Sequence, residues 1–96
     1  MSIQFEWDPN KAASNSERHG VSFDEASSVF YDPWARVFDD DAHSFHELRE
    51  IIVGYSINRR LLFVAFTERN EDVLRVISAR EADKTERKRY EEENEF

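Results

Sequence analysis

The sequence predicts an α+β domain, with two N-terminal helices packed on a mainly antiparallel sheet and a C-terminal helix. Three observations carry this expectation. Two well-capped helix starts lie early in the chain, at Asp8-Pro9 and Ser22. Three apolar runs joined by short polar turns follow, the pattern of an antiparallel meander. The last stretch is charge-rich and helix-forming.

The elements follow in order. Ile3-Gln4-Phe5-Glu6-Trp7 alternates apolar and polar residues, as a short strand does. Asp8 is a helix cap and Pro9 suits the first helical position, so a helix runs from there to Arg18 or His19. Gly20 is its left-handed stop. Ser22-Phe23-Asp24-Glu25 reads as a capping box that opens a second helix, with Phe23, Ala26, Val29 and Phe30 on one face. Asp32-Pro33 ends it. A strand from Trp34 to Phe38 is expected next, then a polar connection through Asp39-Asp40-Asp41. Glu50 to Ile57 alternates around Ile51, Val53, Tyr55 and Ile57, and Asn58-Arg59-Arg60 is a tight turn. Leu61 to Phe66 is apolar on both faces, which marks a central strand. Asn70-Glu71-Asp72 turns the chain into the last strand, Val73 to Ala79. Glu81 to Glu95 is expected to be helical, with Ala82 and Tyr90 its main apolar residues.

Ninety-six residues fit one domain, 1–96, with no room for a second core. There is no cysteine, which excludes a disulfide framework and a thiolate metal site. No run is long and apolar enough to span a bilayer and no signal-peptide pattern is present, so a cytoplasmic location is expected. The net charge of −8 argues against binding nucleic acid through the whole surface. The charge is uneven, however: residues 1–48 carry −7, residues 49–80 carry +2 and residues 81–96 carry −3.

All six cations of the positive block are arginines: Arg49, Arg59, Arg60, Arg69, Arg75 and Arg80. A guanidinium is a permanent charge whose planar fork matches two phosphate oxygens. Glu68 lies in the same block, and a carboxylate among arginines is equally the signature of a structural ion pair. In a meander, Arg49, Glu68, Arg69 and Arg75 can converge at one end of the sheet, with Arg80 nearer the Asn58-Arg59-Arg60 turn. In a regular strand Arg75 and Arg80 point to opposite faces, because their spacing is odd.

One set of motifs spans nearly the whole chain. It begins Phe5-Glu6-Trp7-Asp8-Pro9-Asn10-Lys11, Asn15, His19-Gly20-Val21-Ser22-Phe23-Asp24-Glu25-Ala26, Val29-Phe30 and Asp32-Pro33. It continues with His43-Ser44, Glu47, Arg49, Gly54-Tyr55-Ser56, Leu61-Leu62, Thr67-Glu68-Arg69, Arg75-Val76-Ile77-Ser78-Ala79-Arg80, Glu86-Arg87 and Tyr90-Glu91. In this order the motifs resemble the BrnT toxin family. The resemblance implies a RelE-like fold and a type II toxin–antitoxin toxin, a ribonuclease that shuts down translation. It also implies a ribbon-helix-helix antitoxin, BrnA, as partner, with operator DNA bound only through that antitoxin.

Metal-independent RNA cleavage, which needs no cofactor, requires a base for the 2′-hydroxyl, an acid for the leaving oxygen and cations for the phosphorane-like transition state. The favoured catalytic set is Glu68 with Arg75 and Arg80, which lie in the tightest motifs; Arg49 is a further cation, and His43 with Glu47 a candidate acid–base pair. Lys11, Arg69 and Tyr90 are candidate RNA contacts, although Tyr90 also suits docking of the last helix. His19 fits a helix C-terminus better than catalysis. Asp41, His43 and His46 form only a weak metal signature, and an exposed loop fits them better. Phe5, Trp7, Phe23, Phe30, Phe38, Phe63 and Phe66 read as core, and Trp34 as an interface or base-stacking candidate.

Overall fold

The computed structural model describes residues 2–94. The chain forms β1 (Gln4–Glu6), α1 (Pro9–His19), α2 (Phe23–Ser28) and a 3-10 turn over Val29–Tyr31. It continues with β2 (Arg36–Asp39), a 3-10 turn over Asp41–His43, β3 (Glu50–Tyr55), β4 (Leu61–Asn70), β5 (Val73–Glu81) and α3 (Lys84–Glu93). The strands make one sheet in the order β1-β5-β4-β3-β2. Among the described residues, only the β1–β5 pair is parallel. β4 is the central strand, as its two-sided apolar run requires.

Local chemistry explains most boundaries. The Asp8 side chain accepts from Asn10 N at 2.8 Å and opens α1, and Gly20 closes it at φ 67°. Ser22 Oγ accepts from Glu25 N at 3.0 Å, which is half of the expected capping box. The other half is absent, because the Glu25 side chain turns inward to Arg60 and Ser56. β2 begins two residues later than expected because Asp32 holds a turn: its side chain accepts from Trp34 N and its carbonyl from Ala35 N. β3 stops at Tyr55, where Ser56 starts the turn that places Arg59 at φ 62°. α3 begins at Lys84 rather than Glu81 because Asp83 and Glu86 form a reciprocal capping box. Its expected end, Glu95, lies outside the described residues.

Two cores flank the sheet. The first joins Val21, Phe23, Ala26 and Val29 to Ile52, Leu62, Val64, Phe66, Val76 and Ala79. The second joins Tyr90 of α3 to Ile51, Val53, Leu61 and Ala65, with Phe63 and Ile77 packed against it. Burial of these aliphatic and aromatic groups is the main driving force for the fold.

The family-type motifs of the scaffold are polar pins. Asn15, buried in α1, donates to the carbonyls of Val21 and Ala79 and accepts from Ala79 N at 3.0 Å, tying α1 to β5. Asp32 accepts from Tyr55 N at 2.8 Å and from the Tyr90 hydroxyl at 2.8 Å, joining β3 and α3. A side chain on Gly54 has no room there: a Cβ would meet Asp32 Oδ2 at 2.9 Å and Ala35 Cβ at 3.0 Å. Glu25 is nearly fully buried and takes hydrogen bonds from Arg60 and from Ser56 Oγ, pinning the β3–β4 turn to α2.

Candidate nucleic-acid interface

β5 carries a bulge, and the bulge decides which side chains share a face. Ala65 pairs with Ser78, but its neighbour Phe66 pairs with Val76, so Ile77 is an extra residue. Val76 and Ala79 consequently both enter the first core although three residues apart. Arg75, before Val76, and Arg80, after Ala79, therefore both face the second side of the sheet. The opposite-face expectation for a regular strand is overturned by this one inserted residue.

That face has an ordered layout. Arg36, Val53, Phe63 and Arg80 are successive cross-strand partners, so two arginines end one row across β2-β3-β4-β5. Arg75 lies two rows away, beside Thr67 on β4 and Glu6 on β1. The two rows cross β4 four residue steps apart, at Phe63 and Thr67, about 13 Å along the strand. The Arg80 guanidinium sits 4.1 Å from the centre of the Phe63 ring, and Phe63 packs edge-on against Phe38 at 6.3 Å. Arg89 of α3 lies 5.9 Å from the Phe38 ring on the same face. Two aromatic rings thus stand between two guanidiniums, an arrangement that attracts both phosphates and base faces. Phe38, expected in the core, is instead 40% exposed because β2 is the edge strand.

Each arginine is held by a carboxylate. Arg80 makes a bidentate pair with Glu86 at 2.8 and 2.8 Å, which holds its guanidinium charged. Arg75 pairs with Glu6 at 2.7 Å, and Arg36 with Glu93 at 2.7 Å. Glu86 and Glu93 lie two turns apart on α3, so the helix is fastened across the Arg36–Arg80 row by both.

The other site residues read from the sequence are placed elsewhere. Glu68 pairs with Leu74, which packs into the first core, so it lies on the opposite side of the sheet from Arg75 and Arg80. The favoured grouping of Glu68 with those two arginines is not formed. Glu68 and Arg69 do converge with Glu47, Glu50 and Glu71 around a groove at the sheet end, where Arg69 pairs with Glu47 at 3.1 Å. This groove is anionic: burial, Asp39 and Glu68 together raise the Glu50 pKa. Such a field repels phosphate.

Arg49 is half-buried at the start of the β3 segment, where its backbone bonds Ser44 and Asp40. His43 and Glu47 do not form a pair: His43 Nδ1 lies 3.0 Å from Asp40 and Glu47 holds Arg69. Among the described residues, no group of three or more His, Cys, Asp or Glu side chains is placed to hold a metal ion. Lys11 is exposed on α1, away from the arginine row. Tyr90 is buried with its hydroxyl given to Asp32, and burial followed by that bond raises its pKa. Its geometry is that of the helix anchor and not of a phosphate contact. Sequence reading missed Arg36, Arg89, Glu6 and the exposed Phe38. The alternation Arg36-Val37-Phe38 was the available signal for the first and last of these.

The fold and this face define a small α+β domain whose sheet carries arginine–carboxylate pairs and aromatic rings beneath a C-terminal helix. Residues 7–86 match the family model described as the ribonuclease toxin, BrnT, of type II toxin–antitoxin systems, and the chain belongs to that family. The crystal structure of the Brucella abortus ribonuclease toxin, BrnT, at 1.1 Å resolution superposes with a TM-score of 0.66. It shares 24% sequence identity and covers 86% of this chain and 100% of that one. The two proteins share a fold. No curated protein matches by sequence. Membership implies an RNA substrate and an antitoxin partner. Among the described residues no helix is long and apolar enough to cross a membrane.

Proposed function

We propose that this chain is a RelE-like, metal-independent endoribonuclease that acts in the cytoplasm and inhibits translation. A ribbon-helix-helix antitoxin of the BrnA type neutralises it, and operator DNA is met only through that antitoxin. The observation that carries the reading is the Ile77 bulge, which turns Arg75 and Arg80 to the same face of the sheet. Their separation of about 13 Å spans a short run of RNA backbone. In this reading Arg75, beside Glu6, stabilises charge in the transition state and Arg80 binds a neighbouring phosphate. Glu6, 2.7 Å from Arg75, replaces Glu68 as the carboxylate that takes the 2′-hydroxyl proton. Attack of the 2′-oxygen on phosphorus breaks the bond from phosphorus to the 5′-oxygen, which takes up a proton from solvent, and leaves a 2′,3′-cyclic phosphate. The acidic remainder of the chain supports the partner assignment, because net charge −8 steers a basic antitoxin segment.

A second reading rests on the closed ion pairs. Arg75 and Arg80 are both already held by carboxylates, which suits a catalytically inactive module that scaffolds its antitoxin and aids repression of the operon. Growth on induced expression without the antitoxin separates the two. The enzyme reading expects arrest by the wild type and its loss in Arg75→Ala/Arg80→Ala. Unimpaired growth with the wild type at equal protein level supports the module.

A further inference from the structure

We propose that the cleft between β2 and α3 is a nucleobase subsite, in which one base of single-stranded RNA lies on the Phe38 ring under the Arg89 guanidinium. This deepens the ribonuclease reading and rests on it. The cleft has a volume of about 330 Å³, room for a planar base. Val53 and Tyr90 line its apolar part, and Phe38 presents an aromatic surface that is 40% exposed. Phe38 meets Phe63 edge-on at 6.3 Å and lines the cleft beside Arg89, whose guanidinium lies 5.9 Å from its ring centre.

The charges around the cleft fit a nucleotide better than an apolar ligand. Arg36 and Arg89 line the cleft together with two carboxylates, Glu86 and Glu93, so its walls offer both donors and acceptors. Arg89 is the movable member. Its side chain is 69% exposed and its pair with Glu93 is long, at 3.7 Å, so little holds it away from an incoming base. Arg80 lies against Phe63, one ring away from Phe38, and is placed to take the phosphate next to the stacked base. The glutamates add acceptors at the rim of the cleft. A base with an exocyclic amino group offers them donors that uracil lacks, so adenine, cytosine and guanine are favoured over uracil.

The test is binding of 2′-O-methyl tetranucleotides, which lack the attacking hydroxyl, to the full chain by calorimetry. Wild type, Phe38→Ala and Phe38→Leu are compared, each checked for an unchanged melting profile. Phe38→Leu keeps apolar contact with Phe63 but has no aromatic face. The subsite predicts that both variants bind oligo-A about tenfold more weakly, that an abasic strand of equal charge binds the wild type as poorly as oligo-A binds the variants, and that oligo-U binds less tightly than oligo-A. Equal binding by wild type and Phe38→Leu overturns the stacking assignment, as does an abasic strand that binds like oligo-A. A Phe38 effect confined to antitoxin binding also overturns it, in favour of a protein occupant. RNA cleavage by the same wild-type sample separates the two levels. Cleavage with no Phe38 effect rejects the subsite alone, whereas neither cleavage nor binding rejects the ribonuclease reading and the subsite with it.

Discussion

Replacing Glu25 by glutamine tests the polar framework beneath the sheet with a pH signature that simple loss of packing does not have. The Arg60 guanidinium, with help from Ser56, outweighs burial and holds the Glu25 carboxyl at about 2 against an ordinary value of 4.5. That difference corresponds to about 3 kcal/mol of folding stability contributed by the ionised form. Glu25 is only 7% exposed, so little of this is screened, while the Arg60 side chain is 31% exposed and keeps part of its hydration when its partner is removed. The expected cost of Glu25→Gln at pH 7 is therefore about 2–3 kcal/mol. The folded-state pKa is the lower one, so the contribution is fully present above pH 4.5 and is lost as the pH falls towards 2. Urea unfolding followed by tryptophan fluorescence from pH 7 to pH 2 should show a wild-type advantage that narrows below pH 4.5 and closes near pH 2. A gap that stays constant across this range would assign the effect to shape and not to the Glu25 charge.

Three further substitutions probe the same framework. Tyr90→Phe keeps the ring against Tyr55 but removes the bond to Asp32, and should cost about 1–3 kcal/mol in thermal unfolding. Asn15→Ala strands the Ala79 N–H and two buried carbonyls, so at least about 2 kcal/mol should be lost, with faster amide exchange at Ala79. Gly54→Ala drives a Cβ against Asp32, Ala35 and Val29, and should cost about 1–3 kcal/mol by denaturant titration.

Much of the fold was legible because its signals are local. Asp8 and Gly20 bound α1 through contacts within a few residues, and the polar turns mark the meander. Glu25 shows where local reading stops. Its position after Ser22 signals a capping box, yet the Arg60 guanidinium, from a turn far along the chain, binds it more strongly than the helix end does. Asp83 and Glu86 carried a true capping box that the helix-forming composition upstream concealed. The candidate site was less legible for a related reason. The run Val76-Ile77-Ser78-Ala79 contains no residue that announces a bulge, and one bulge reverses the faces of all residues beyond it. Alternation alone therefore separated Arg75 from Arg80, and convergence at the strand ends drew attention to Glu68 and Arg69 in a groove that proves anionic.

Cleavage of a defined RNA in chelator by the purified chain, with the product ends identified, tests the central claim most directly. The wild type should yield 2′,3′-cyclic phosphate ends. Arg75→Ala and Arg80→Ala should each lose at least about 2–3 kcal/mol of transition-state stabilisation, roughly a hundredfold in rate. Glu68→Gln, altered on the other side of the sheet, should cleave at close to the wild-type rate. Full cleavage by the two arginine variants, or a loss confined to Glu68→Gln, would contradict the assignment of the active face.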